Sequence, residues 1–119
     1  MEKMTKKRDD PLYPEMISNL PEIDVPIPGV RGWLLQGERK QVVFFEIEAG
    51  TRIPPHSHCA QWGLMVKGKI SLTIGGQTKV YRKGDRYFIP AGVVHAATFP
   101  SRVNVIDVFD DTARYQPKA

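Results

Sequence analysis

The chain of 119 residues has only three histidines, and two of them, His56 and His58, are separated by a single residue. A neutral imidazole donates well to zinc, copper, iron and nickel, so the spacing of these rings bears directly on metal chemistry. Pro54-Pro55 precedes the pair and fixes an extended approach, and residues two apart on a strand point to the same face. Both rings can therefore converge on one ion. His95 lies much later, after Pro90-Ala91-Gly92, at the start of another predicted strand. A third imidazole from a neighbouring strand leaves coordination positions open to water or substrate, as chemistry at a metal requires. Alone, an H-x-H pair is weak evidence, because histidines commonly serve as hydrogen-bonded polar residues.

The elements that must position these rings read as short strands. Val43, Phe45 and Ile47 alternate with Phe44, Glu46 and Glu48, a period of two with one apolar face. Ile70, Leu72 and Ile74 alternate with Ser71 and Thr73, and Gly75-Gly76 supplies a tight hairpin before residues 77–81 return. Further strands are expected at 30–35, 86–89, 93–99 and 103–109, and no window has helical periodicity. The fold class is all-β, an antiparallel sandwich or barrel, and periodicity does not choose between the two. Charged residues and Pro11 and Pro14 mark 1–15 as a flexible tail, leaving 16–119 as one domain. Prolines at 21, 26 and 28 argue against a helix over 16–28 and favour an extended arm.

Residues 50–68 read G-TRIPP-H-S-H-CA-Q-WGLMVK-G, and residues 84–95 read G-DRYFI-P-A-G-VV-H. The first resembles the first cupin motif, which runs from glycine through H-x-H and a glutamate to a second glycine. The second resembles the second cupin motif, glycine, five residues, P-x-G, two residues and histidine. Fifteen residues separate Gly68 from Gly84, an inter-motif gap that also suits the cupins. The resemblance implies a double-stranded β-helix, or jelly-roll (cupin) barrel. It also implies one divalent transition metal (iron, manganese, nickel, zinc or copper) on His56, His58 and His95.

This chain departs from the pattern at the fourth ligand. Where cupins usually carry glutamate, seven residues before Gly68, stands Gln61. Gln61 has the opposite strand parity to the histidines, so a bend at Cys59-Ala60 must re-aim it. Its amide oxygen either ligates the ion or orients a bound water. Phe99 stands where the second motif normally has asparagine. Parity from His95 turns Val93, Ala97 and Phe99 inward, and Gly63 and Met65 follow Gln61. Met65 and Phe99 then either line an apolar pocket or fill the core. Trp62 reads as packing and Cys59 as a buried, inert thiol. Asp85 and Asp107 are expected to serve turns and the surface. No close carboxylate pair, nucleophile elbow or phosphate loop is present.

A net charge of +4 raises the question of nucleic acid. Lys6-Lys7-Arg8 is the only basic run, and Asp9 and Asp10 follow at once, so no nucleic-acid partner is expected. No apolar stretch approaches the roughly 20 residues that span a membrane. One cysteine and a charged amino terminus without an apolar h-region suggest a cytoplasmic protein. With Gln61 in place of glutamate, a divalent ion keeps its full charge. That favours an anionic or oxygen-chelating small molecule, or dioxygen at a three-histidine iron. The expected function is a metal-dependent reaction on a small molecule, dioxygenase-type or a related isomerase, decarboxylase or lyase. The alternative is a non-catalytic module that binds a ligand or metal for sensing or storage. The extended arm 16–28 and the two-sided apolar strand 103–109 suggest a homodimer.

Overall fold

A computed structural model describes residues 11–119, so residues 1–10 of the expected tail lie outside the described residues. The order is α1 (Glu15–Ser18), β1 (Val30–Gln36), β2 (Gln41–Ile47), β3 (Arg52–His56), β4 (Gln61–Lys67), β5 (Lys69–Ile74), β6 (Gln77–Arg82), β7 (Arg86–Ile89), β8 (His95–Thr98) and β9 (Val103–Phe109). A five-stranded sheet runs β1-β2-β9-β4-β7, and a four-stranded sheet runs β3-β8-β5-β6. The strand pairings are antiparallel throughout. After β2 the chain changes sheet at every connection except the β5–β6 hairpin. That winding settles the choice left open by periodicity: the fold is a jelly-roll β-barrel.

The alternating patterns bury one face each. Val43, Phe45 and Ile47 of β2 meet Val103, Val105 and Phe109 of β9, and Ile70 and Leu72 face them from the other sheet. In the β5–β6 hairpin Ile74 pairs with Gln77, and Gly75 and Gly76 take φ of 57° and 86°. Two consecutive left-handed residues match the twist of the flanking strands, which is why two glycines stand there. β7 and β9 occupy the expected ranges. β8 is shorter than 93–99, because the Val93 N–H donates to Pro90 O and belongs to the preceding turn.

The amino-terminal stretch differs from expectation. It opens with a helical turn, α1, rather than an arm that is extended throughout. Between Pro14 and Pro21 the chain is free of proline, just long enough for the Ile17 and Ser18 N–H groups to donate to Pro14 O. Beyond it, Glu22 bridges to Trp33 and Ile23 to Pro117. Tyr13, within the stretch read as a tail, is buried, and its hydroxyl donates to Phe45 O at 2.8 Å. Among the described residues no helix is long and apolar enough to cross a membrane.

Candidate metal centre

His56 ends β3 and pairs in register with His95, the first residue of β8. The register shifts between Ile53 and His56, where Pro54 and Pro55 cannot donate to the ladder, and pairing resumes at the histidine. His58 lies just past β3. The chain then bends at Cys59 and crosses to the other sheet, where Gln61 opens β4. The bend expected at Cys59-Ala60 is thus the crossing between sheets, and it brings Gln61 to the same cavity as the three histidines.

One ligand atom from each of His56, His58 and His95 can be chosen so that all lie within 4.8 Å of one another. The hydrogen bonds identify which atoms are free. Nδ1 of His56 meets Pro54 O at 2.9 Å, Nδ1 of His58 meets Cys59 O at 2.8 Å, and Nδ1 of His95 meets Val93 O at 3.0 Å. A carbonyl only accepts, so each Nδ1 carries the proton and each Nε2 presents a lone pair. Nε2 of His58 and Nε2 of His95 face each other at 3.2 Å. Burial pushes His58 down to about 4 and His95 downward too, with Arg114 adding a smaller push on each, so near neutral pH neither ring supplies a bridging proton. Two opposed lone pairs repel unless a cation lies between them. Two nitrogens on one ion at ~2.1 Å would stand roughly 3.0–3.4 Å apart for ligand angles of 90–109°.

The cavity holds about 450 Å³ and is walled largely by apolar side chains, among them Ile53, Leu72, Ile89 and Phe99. Met65 is buried in the core and does not line it. Gln61 hydrogen-bonds Asp107, while its Oε1 is buried without a hydrogen-bond partner. That orphaned oxygen and three free Nε2 lone pairs form a donor set that fits a divalent transition ion.

The placement of Asp107 corrects the expectation of a surface or turn role. It is 2% exposed and lines the cavity. Tyr87 donates its hydroxyl to Asp107 Oδ1 at 2.7 Å. Gly63 leaves room for that bond: a Cβ there would stand 2.2 Å from Tyr87 Cζ and 2.5 Å from Asp107 Oδ1. Burial raises the Asp107 carboxyl to about 6, against the lowering pull of Tyr87 and Gln61. A sequence signal existed, since Asp107 shares the parity of Val103, Val105 and Phe109. Asp85 does serve a turn, accepting from the Arg82 N–H at 2.7 Å.

Arg114 and Tyr115 carry no such signal. The Arg114 guanidinium lies 4.4 Å from the Tyr115 ring centroid, and its Nε is buried with no hydrogen-bond partner. Both line the cavity, held there by the Gln41 side chain, which bonds the N–H and the carbonyl of Tyr115. Cys59 Sγ lies 3.9 Å from His58 Nδ1, and burial raises the thiol, which keeps it protonated and unreactive.

Two antiparallel sheets wound as a jelly roll, with three imidazoles converging at one cavity, define a barrel with a histidine-rich candidate metal centre. Residues 43–109 match the cupin domain family, and the chain belongs to that family. Over 69 residues it is 32% identical to a mannose-1-phosphate guanylyltransferase of Salmonella montevideo, covering 56% of this chain but only 15% of that protein. An RmlC-like cupin of Shewanella frigidimarina superposes with a TM-score of 0.70 at 24% identity, over 96% of this chain and 94% of that one. Bacillus subtilis oxalate decarboxylase, described with Mn(II) centres, superposes with a TM-score of 0.68 at 21% identity, over 82% of this chain and 29% of that one. These structural likenesses show the fold.

Proposed function

We propose that this chain is a metal-dependent enzyme that moves a proton on a small anionic molecule. It works in the cytoplasm as a homodimer. Nε2 of His56, His58 and His95 and Oε1 of Gln61 would hold one divalent transition ion. Such an ion supplies a Lewis acid that draws charge from an oxygen of the ligand. The observation that carries the reading is Asp107, a buried carboxylate held near 6 in a largely apolar cavity beside the candidate ligands. An acid–base catalyst needs a group that titrates near working pH, and Asp107 is placed to be one. Arg114, with its buried unpartnered Nε, provides the charge that receives an anionic ligand. Tyr87, whose own hydroxyl is pushed far up by burial, stays protonated and orients Asp107 Oδ1.

The test is proton exchange in D2O, followed by NMR over a set of small carboxylates and sugar acids. Metal-loaded protein should exchange a C–H bond of at least one compound, and chelated protein none. Consumption of dioxygen without exchange would support the dioxygenase-type reaction instead.

Gln61→Glu tests the fourth donor. A carboxylate suits a divalent ion better than an amide oxygen does. The new group also stands beside Asp107, so in the metal-free chain one of the two carboxyls keeps a proton that the ion must expel. Metal affinity should therefore rise by about tenfold or more at pH 8, and the gain should shrink toward pH 6. Competition with a fluorescent chelator reads both. Equal affinities at pH 8 would mean that Gln61 does not reach the ion.

A further inference from the structure

On the outer face of the five-stranded sheet, Leu35 pairs with Val42, Val42 with Val108, Val108 with Trp62, and Trp62 with Phe88. One apolar residue from each strand thus forms an unbroken row on the side away from the core. Leu35 is 50% exposed, Trp62 37% and Phe88 58%. Trp62, read from the sequence as a packing residue, thus lies on this outer face. A second row, Trp33, Phe44, Ile106 and Leu64, runs beside the first and ends on Arg86. Tyr13 packs edge-on against Trp33 and Phe44 and covers only that end. Charged pairs border the face, Lys40–Asp110 on one side and Arg31–Glu22 and Arg102–Glu46 on the other.

We infer that this face binds a second copy of the chain, sheet against sheet about a two-fold axis near β9. The inference deepens the homodimer reading by naming its surface. Scattered apolar residues are ordinary on a protein surface, but a contiguous apolar band with a polar border has the anatomy of an interface. Residues 1–10, MEKMTKKRDD, cannot supply an apolar cover, being mostly charged. β9 is the middle strand, so a two-fold axis there lays the apolar band on its own copy, and borders carrying both signs oppose without a net like-charge clash. Five strands at about 4.8 Å and four residue rows, two apolar and two charged, at about 6.8 Å give the whole face roughly 650 Å², the low end of the about 600–1,000 Å² per partner of standard interfaces.

Light scattering on the full chain should give twice the chain mass. In Trp62→Lys/Phe88→Lys, replacing the two exposed aromatics of the row with charges should weaken dimerisation by about 100-fold or more and give the single-chain mass, with metal content unchanged. A parent that is monomeric at every concentration overturns both the dimer and its face. A double variant that stays dimeric overturns the face alone. Should that variant not fold, Val108→Cys in a Cys59→Ser background decides. Stacked sheets lie about 10 Å apart, so a short bismaleimide should link two copies through the thiol introduced near the axis. A dimeric parent whose Val108→Cys variant does not cross-link overturns the face.

Discussion

The parent should bind about one transition-metal ion per chain, and a chain with alanine at both His56 and His58 should lose it. Removing only a supporting partner of a ligand typically costs 10–100-fold in affinity, so deleting two donors outright should cost more than about 10⁴-fold. Elemental analysis of protein purified without a metal-affinity tag measures this directly, and full stoichiometry in the double variant would sink the assignment. Heat denaturation gives a second readout. Metal at about 100 times its dissociation constant stabilises a folded chain by about 2.7 kcal/mol, which is about 10–20 °C for a domain near 100 residues. The parent should show that rise, and the variant none. The chelated variant should be no less stable than the chelated parent, because alanine at position 58 removes one of the two lone pairs, those of His58 and His95, that oppose each other at 3.2 Å when no cation separates them.

The same residues show how far local patterns carry. Strands β7 and β9 and the Gly75-Gly76 hairpin were legible because period-two alternation and left-handed glycines are local signals. The convergence of His56 and His95 was legible only through the cupin motifs, since nothing local says that β3 and β8 are neighbours. Asp107 is easily misread although its parity is plain, because a carboxylate on a strand is ordinarily solvated. Trp62 reads as packing and its parity turns it outward, so the sequence pattern already places it on the outer face of the sheet. Arg114 and Tyr115 have no periodicity at all. They reach the cavity because the carboxyl-terminal segment folds back, with the Asp24 N–H donating to Gln116 O and Gln41 holding Tyr115. Such long-range closure leaves no trace in sequence spacing.

Asp107→Asn will make the chelated protein more stable at pH 8 and leave it little changed below pH 4. Asp107 has an ordinary value of 3.8 and is raised to about 6 in the fold. Between those values the folded chain holds more protons than the unfolded one, so this group's contribution to stability falls as pH rises through that window. The cost is fully present above pH 6 and absent below 3.8, and a rise from 3.8 to about 6 amounts to about 3 kcal/mol at most. Asparagine removes the cost and still accepts from Tyr87. His58 and His95, both lowered by burial, contribute with the opposite sign, but equally in both proteins, so they cancel in the difference. Metal affinity should move the other way. The substituted amide offers an N–H where the carboxylate accepted, so the Gln61 amide turns to present its orphaned Oε1 to that N–H. The nitrogen of Gln61 then faces the histidines, and affinity should fall by about 10–100-fold. Urea denaturation at pH 4 and pH 8, with chelator present, and a chelator competition at pH 8 measure the two effects. A stability difference that is the same at both pH values would mean that Asp107 is not carried as a strained anion. Undiminished metal affinity would mean that Asp107 does not hold Gln61 toward the ion.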